Sequence, residues 1–279
     1  MSAVKEMLAA PVRSQAEAVR GRVGELLAAD YLGARAALLG SLDAHGGPVR
    51  GVLLICVADA LGGADRRVEL DCAAAMELAG AAPRFLCSID DEPVTPGQTA
   101  MNLIALLTAD WALSSGLAAA TDVGAERMKA FAVVNRELWD AEMLHRDARR
   151  DGDWSPERYI DEIVRRRAGL TVFAAWLGAE LAGASPQLVK AVSLYAQELG
   201  MALEIGAEAL SFQTSKESVG GGCTRALDAA LAEQHARSAR ALLDKLDVRD
   251  TSRLRALTVL PPARLGSSTA AGNTLEPVR

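Results

Sequence analysis

Aromatic side chains make up only 4% of this chain, and alternating runs of β-branched residues are few. Strands are built from those residue types in that pattern, so the sequence argues against a sheet protein. Four cysteines, Cys56, Cys72, Cys87 and Cys223, include no CxxC pair. That spacing points to neither a zinc site nor a disulfide framework, and reduced core thiols are the simplest reading. His45, His145 and His235 are too dispersed to suggest a metal site. No block of Lys and Arg marks a nucleic-acid or membrane-surface patch, and the formal net charge is −6, which disfavours phosphate backbones as partners. No stretch of about 18 residues is both apolar and free of charge. The opening Met1-Ser-Ala-Val-Lys-Glu6 has no hydrophobic signal region. A cytoplasmic protein with no membrane span and no nucleic-acid partner is expected, leaving small molecules or other proteins as partners.

What is present is alanine and leucine. Half of the 279 residues are apolar, enough for a large core, and the composition predicts an all-α chain. Ser14 and Glu17 have capping-box spacing and predict a first helix to about Asp30. A second follows over about Tyr31 to Ala44, stopped by His45-Gly46-Gly47-Pro48. Val49 to Leu61 is apolar on nearly every side, as a buried helix is. A fourth helix is expected from Asp65 to Glu92, kinked or interrupted by Pro83. Others are predicted over about Gln98 to Ala120 and Ala125 to Arg150, from Ser155-Pro156 to Ala182, and from Ser185-Pro186 to Thr214. The last two run over about Thr224 to Leu246 and Thr251 to Val259. No repeat or long linker divides the chain, so residues 1–260 are expected to form one domain, and 261–279 a disordered tail.

Phe85-Leu-Cys-Ser-Ile-Asp90-Asp91-Glu92-Pro93 is the stretch with chemical content. Three consecutive carboxylates at the end of an apolar helix have the wrong sign for a helix C-terminus. They are either a solvated helix end or part of a cation site. Mg²⁺ is usually held by one or two carboxylates together with substrate phosphates, which suggests a diphosphate ligand. A second acidic element must then face Asp90 and Asp91. Glu204, Glu208 and Ser211 fall at i, i+4 and i+7 on one face of an otherwise apolar helix. That stripe looks either into a cavity or out through a narrow window to solvent.

The order of segments over about residues 15 to 246 resembles the trans-prenyltransferase (polyprenyl diphosphate synthase) family, which is related to class I terpene synthases. Its best-matching block is Ser155-Pro-Glu-Arg-Tyr159 through Arg165-Arg166-Arg167-Ala-Gly169 to Phe173, then Leu177-Gly-Ala-Glu-Leu-Ala-Gly183. Ala105-Leu-Leu-Thr-Ala-Asp110-Trp111 is similar to another of its helices. The chemical motifs diverge. The segment that binds the acceptor diphosphate in the family corresponds to Gly46-Gly47-Pro48-Val49-Arg50-Gly51, which keeps a single arginine. The first aspartate motif keeps Asp90 and Asp91, and the second reads Gly200-Met-Ala-Leu-Glu204-Ile-Gly-Ala-Glu208-Ala-Leu-Ser211. Glu208, Ser211 and Lys216-Glu217 also look like a distorted terpene-synthase metal pattern.

The resemblance implies an isoprenoid synthase-type helical bundle that forms a homodimer or a heterodimer with a prenyltransferase. It implies a prenyl diphosphate substrate, with Mg²⁺ on Asp90, Asp91, Glu204 and Glu208. Arg167 takes the place of the family's substrate-holding lysine, and Arg50 and Trp111 are further substrate-binding candidates. A run of three arginines also fits a solvated surface, and Trp111, Trp139, Trp154 and Trp176 also fit a core. With so few acidic ligands kept, the chain is expected to be either an atypical class I enzyme or a catalytically silent subunit of an active synthase.

Overall fold

The computed structural model describes residues 10–27, 31, 33–89, 92–151, 154–214, 229–248 and 250–259. Every regular element among them is helical. The architecture is an all-α helical bundle, as the composition predicts.

The bundle is arranged around α3 (Val49–Leu61), whose residues from Val52 to Ala58 are all buried. An all-round apolar helix has no solvent face to keep. It is covered by α4 (Arg66–Cys87) on one side and by α8 (Arg165–Leu181) on another. Both crossings are made close by glycine. A Cβ at Gly51 would stand 2.7 Å from the carbonyl oxygen of Ala73, and one at Gly178 would stand 2.4 Å from that of Leu54. Further out, α1 (Arg13–Leu26) packs on α4, and α2 (Ala34–Ala44) lies across α4 and α5 (Pro96–Ala119). α6 (Ala125–Asp151) and α9 (Pro186–Thr214) flank α8, while α10 (Ala229–Leu243) packs on α9, and α11 (Ser252–Leu257) closes on α3.

Local chemistry sets most of the ends. Asp65 caps α4 by accepting from the backbone N–H groups of Arg67 and Val68 at 2.9 and 3.2 Å. Thr95 and Gln98 form a reciprocal capping box on α5 with Pro96 in the first turn, which moves the start two residues ahead of the expected Gln98. Ser155-Pro156 opens α7 (Pro156–Tyr159) and Ser185-Pro186 opens α9, as expected.

Three readings of local structure are corrected. Ser14 does not cap α1: its hydroxyl bonds Gln15, and the helix begins at Arg13 behind a 3₁₀ turn, Ala10–Val12. The second helix starts at Ala34, not Tyr31, because Gly33 takes a left-handed φ of 76° at its N-cap, a conformation natural to glycine. Pro83 does not interrupt α4, which runs through it to Cys87. α4 does end at Cys87, with the Ser88 hydroxyl donating to the Phe85 carbonyl at 2.6 Å. The expected end at Glu92 is therefore moved back to Cys87, ahead of Asp90 and Asp91 in the sequence. Both lie outside the described residues, as do Ser215, Lys216, Glu217, Cys223 and the tail 261–279.

α5 stands apart in composition. Of the described helices it is the one long and apolar enough to cross a membrane, with a mean hydropathy of 1.5 over its most apolar window and only 28% of that window buried. Its free face carries Met101, Leu103, Leu106 and Leu107, all about half exposed, and continues through exposed Asp110 and Ser114.

Candidate active site

Four of the residues singled out in the sequence meet at one place in the bundle interior. Glu204 and Glu208 are one turn apart on α9, and each faces an arginine from another helix. Arg50, in the first turn of α3, donates from Nη2 to Glu204 Oε1 at 2.7 Å. Arg167 on α8 donates from Nη1 to Glu208. The stripe on α9 therefore looks inward. Each of these four side chains is about 11 to 16% exposed.

Arg167 is positioned by a break in helix geometry. α7 passes through a π-helical turn, Ile160–Val164, directly into α8. Such turns insert an extra residue into the helical register and recur at functional sites. Tyr159 ahead of it is buried, its hydroxyl 2.7 Å from His145 Nδ1. The three arginines then separate as a helix requires. Arg165 and Arg166 pair with Asp161 and Glu162 one turn back, while Arg167 turns into the core. Arg165 and Arg166 also line a groove of about 420 Å³ together with Phe173 and Trp176 of α8, Val134 of α6 and Gln197 of α9.

A fifth group, Glu142 on α6, holds the other edge of Arg167. Its two oxygens accept from Arg167 Nε at 2.7 Å and Nη2 at 2.8 Å, a bidentate fork that fixes the guanidinium plane. Burial by itself would lower the Arg167 pKa, but Glu142 and then Glu208 outweigh it and hold the group firmly protonated. Cys87, at the end of α4, donates from Sγ to Glu142 Oε2 at 3.3 Å. Burial first, and the Glu142 charge second, push its thiol up to about 11.

Beneath this layer α4 presents Glu77, Gly80 and Arg84 on one face. Glu77 is buried and accepts from the Gly51 backbone N–H at 2.6 Å. Burial raises its pKa against the opposing pull of Arg50, that hydrogen bond and Arg84. Gly80 makes room for Arg50, whose Nη1 lies 2.9 Å from where a Cβ would be. Arg84 is brought down to about 10 by burial and then by Arg50, with Glu77, Glu204 and Glu142 acting the other way.

Sequence reasoning missed Glu142, Glu77 and Arg84. A signal existed for Glu142, since it continues the inward stripe Phe131, Asn135, Leu138 of α6 at helical spacing. Trp111 is placed elsewhere, partly buried in the apolar cluster between α1, α2, α4 and α5, with its ring edge-on to Tyr31 at 5.7 Å.

The described carboxylates do not by themselves fit a magnesium ion. Glu204, Glu208 and Glu142 are each engaged by an arginine, and among the described residues no group of three His, Cys, Asp or Glu could hold a metal.

No family model matches the chain. One similar curated protein is the short chain isoprenyl diphosphate synthase of Methanothermobacter thermautotrophicus, 27% identical over 190 residues, which cover 64% of this chain. The match spans 58% of that relative's length. Among solved structures, the fold resembles heptaprenyl diphosphate synthase from Staphylococcus aureus, with a TM-score of 0.72 and 15% identity over 92% of this chain and 98% of that one. It also resembles a geranyltranstransferase from Methanosarcina mazei, with a TM-score of 0.70 and 18% identity over 90% and 97% of the two chains. A Caulobacter crescentus polyprenyl synthase complexed with calcium and isoprenyl diphosphate gives a TM-score of 0.70 at 20% identity over 91% and 95%. The chain thus has the isoprenoid synthase fold, and the trans-prenyltransferase resemblance read from its motifs is supported both by a curated relative and by that fold.

Proposed function

We propose that this protein is an atypical class I isoprenoid enzyme that acts on a prenyl diphosphate. The observation that carries this reading is the convergence of Arg50 and Arg167, from two different helices, on Glu204 and Glu208 of a third. A buried pair of guanidinium groups is suited to receive the charge of a departing diphosphate, because fixed donors stabilise developing negative charge without reorganising. As the allylic C–O bond breaks, its electron pair leaves with the diphosphate oxygen. The cation left behind, cyclised or not, is quenched by loss of a proton, by addition of water with loss of a proton, or by attack of an acceptor alkene followed by loss of a proton. Each guanidinium must first give up a carboxylate to the incoming phosphate oxygens. Magnesium, implied by the resemblance, would rest on Asp90 and Asp91 with a carboxylate released in that exchange. In this reading the protein works in the cytoplasm.

A second reading, a silent subunit of an active prenyl diphosphate synthase, is favoured by two observations. The arginines are already neutralised by the carboxylates beside them, and α5 offers the apolar face Met101, Leu103, Leu106 and Leu107. We assign that face to a dimer contact, with a second copy or with the synthase. Incubating the purified protein with dimethylallyl, geranyl and farnesyl diphosphate, with and without Mg²⁺, separates the two readings. Release of pyrophosphate with a hydrocarbon or alcohol product is expected for the enzyme. Silence toward all three until a synthase is added would establish the subunit.

A further inference from the structure

Three arginines reach the interior at this end of the bundle, and they are not equally satisfied. Arg167 has two carboxylates and Arg50 has one. Arg84 forms no ion pair among the described residues, and its Nη1 is closed off from water without a hydrogen-bond partner. Arg50 Nε, on the neighbouring guanidinium, is also buried and unpartnered.

The two groups are close. Arg50 lies across Gly80, and Gly80 precedes Arg84 by one helical turn on the same face of α4. The groups that act on Arg84 are Arg50, which repels it, and Glu77, Glu204 and Glu142, which attract it. Of these carboxylates, Glu204 is bonded to Arg50, Glu142 to Arg167 and Glu77 to the Gly51 backbone. One turn back on α4 stand Gly80 and Ala81, and an apolar side chain in place of Arg84 would leave no orphaned donor there. Unsatisfied donors on adjacent cations, with the described carboxylates nearby already engaged, suit an anion that comes from outside.

We infer that Arg84, assisted by the free edge of Arg50, is a further group that receives the phosphate oxygens of the ligand, beside the Arg50 and Arg167 pair. This rests on the reading of the site as diphosphate-binding, and it adds to the arginines the sequence pointed to one that it did not. The ligand class is a phosphate or diphosphate ester, and inorganic pyrophosphate is the simplest probe.

The test compares Arg84→Met with Arg167→Met in the full chain by thermal unfolding and titration calorimetry against pyrophosphate, without added metal. Arg84→Met is expected to unfold at or above the temperature of the unaltered protein, since it removes an orphaned buried charge, while its pyrophosphate affinity falls about tenfold or more. Arg84→Lys, which keeps the charge, should recover part of that affinity. Arg167→Met is expected to unfold at a lower temperature, because Glu142 and Glu208 lose their partner, so a loss of affinity at unchanged or raised stability distinguishes Arg84 from Arg167. If Arg167→Met does not fold, Arg167→Lys gives the same comparison. Retention of full affinity in Arg84→Met, with the unaltered protein binding normally, overturns this inference and leaves the diphosphate reading standing. Silence of the unaltered protein toward pyrophosphate overturns both.

Discussion

At the scale of single residues, Glu142 and Cys87 make a pair whose behaviour follows from charge. Cys87 reaches the surface, but the packing around its sulfur first, and the carboxylate that accepts its S–H second, disfavour the thiolate. With the thiol at about 11, roughly one molecule in a thousand carries a thiolate at pH 8. Alkylation by iodoacetamide at pH 8 should therefore be slow for an exposed cysteine, and Glu142→Gln should quicken it by bringing the pKa down toward its ordinary value. Equal rates in the two proteins, followed by mass spectrometry, would contradict the assigned contact. Gly178 is constrained by space alone. Its φ is ordinary, but any Cβ there meets the Leu54 backbone at 2.4 Å, and backbone cannot swing aside as a side chain can. Gly178→Ala should cost about 1–3 kcal/mol in chemical unfolding. A cost under about 0.5 kcal/mol would mean that α3 and α8 do not cross so closely.

Among the elements, α5 and α9 show how alike two apolar helices can be in sequence while serving opposite ends. Both are rich in alanine and leucine. α9 turns its polar stripe inward to arginines, whereas α5 leaves leucines outside. A contiguous exposed apolar patch on a helix marks a contact surface. If α5 forms the dimer contact proposed above, the Leu103→Glu, Leu107→Glu double variant should sediment at half the mass of the unaltered protein and retain its helical circular dichroism. A protein that is monomeric before the change removes the assignment. The π-helical turn ahead of α8 is an element-scale feature that the sequence concealed. Three successive arginines look like one solvated run, and only the helix geometry separates two surface ion pairs from one interior clamp.

For the molecule as a whole, far-ultraviolet circular dichroism should show a predominantly helical protein, with strand content below about one tenth, against the roughly 20–25% of an average globular protein. Thermal unfolding should be a single transition if residues 1–260 fold as one unit, and two separated transitions would divide the chain. Composition and periodicity by themselves determined that the chain is helical, that Val49 to Leu61 is buried, and where the capped helices α7 and α9 begin, because these properties depend on neighbours within a turn or two. They also put Glu204 and Glu208 on one face. Whether that face looked to water or to the core, and what stood opposite, depended on residues 41 and 154 positions away. The partner of Glu204 is Arg50, from the first turn of α3. The partner of Arg167 is Glu142, hidden in a strongly charged helix. Arg84 became legible only once folding had left its Nη1 without a partner. Charge pairing across a core is set by the packing of distant helices, so the tertiary structure alone decided which arginines are already neutralised and which one still calls for an anion.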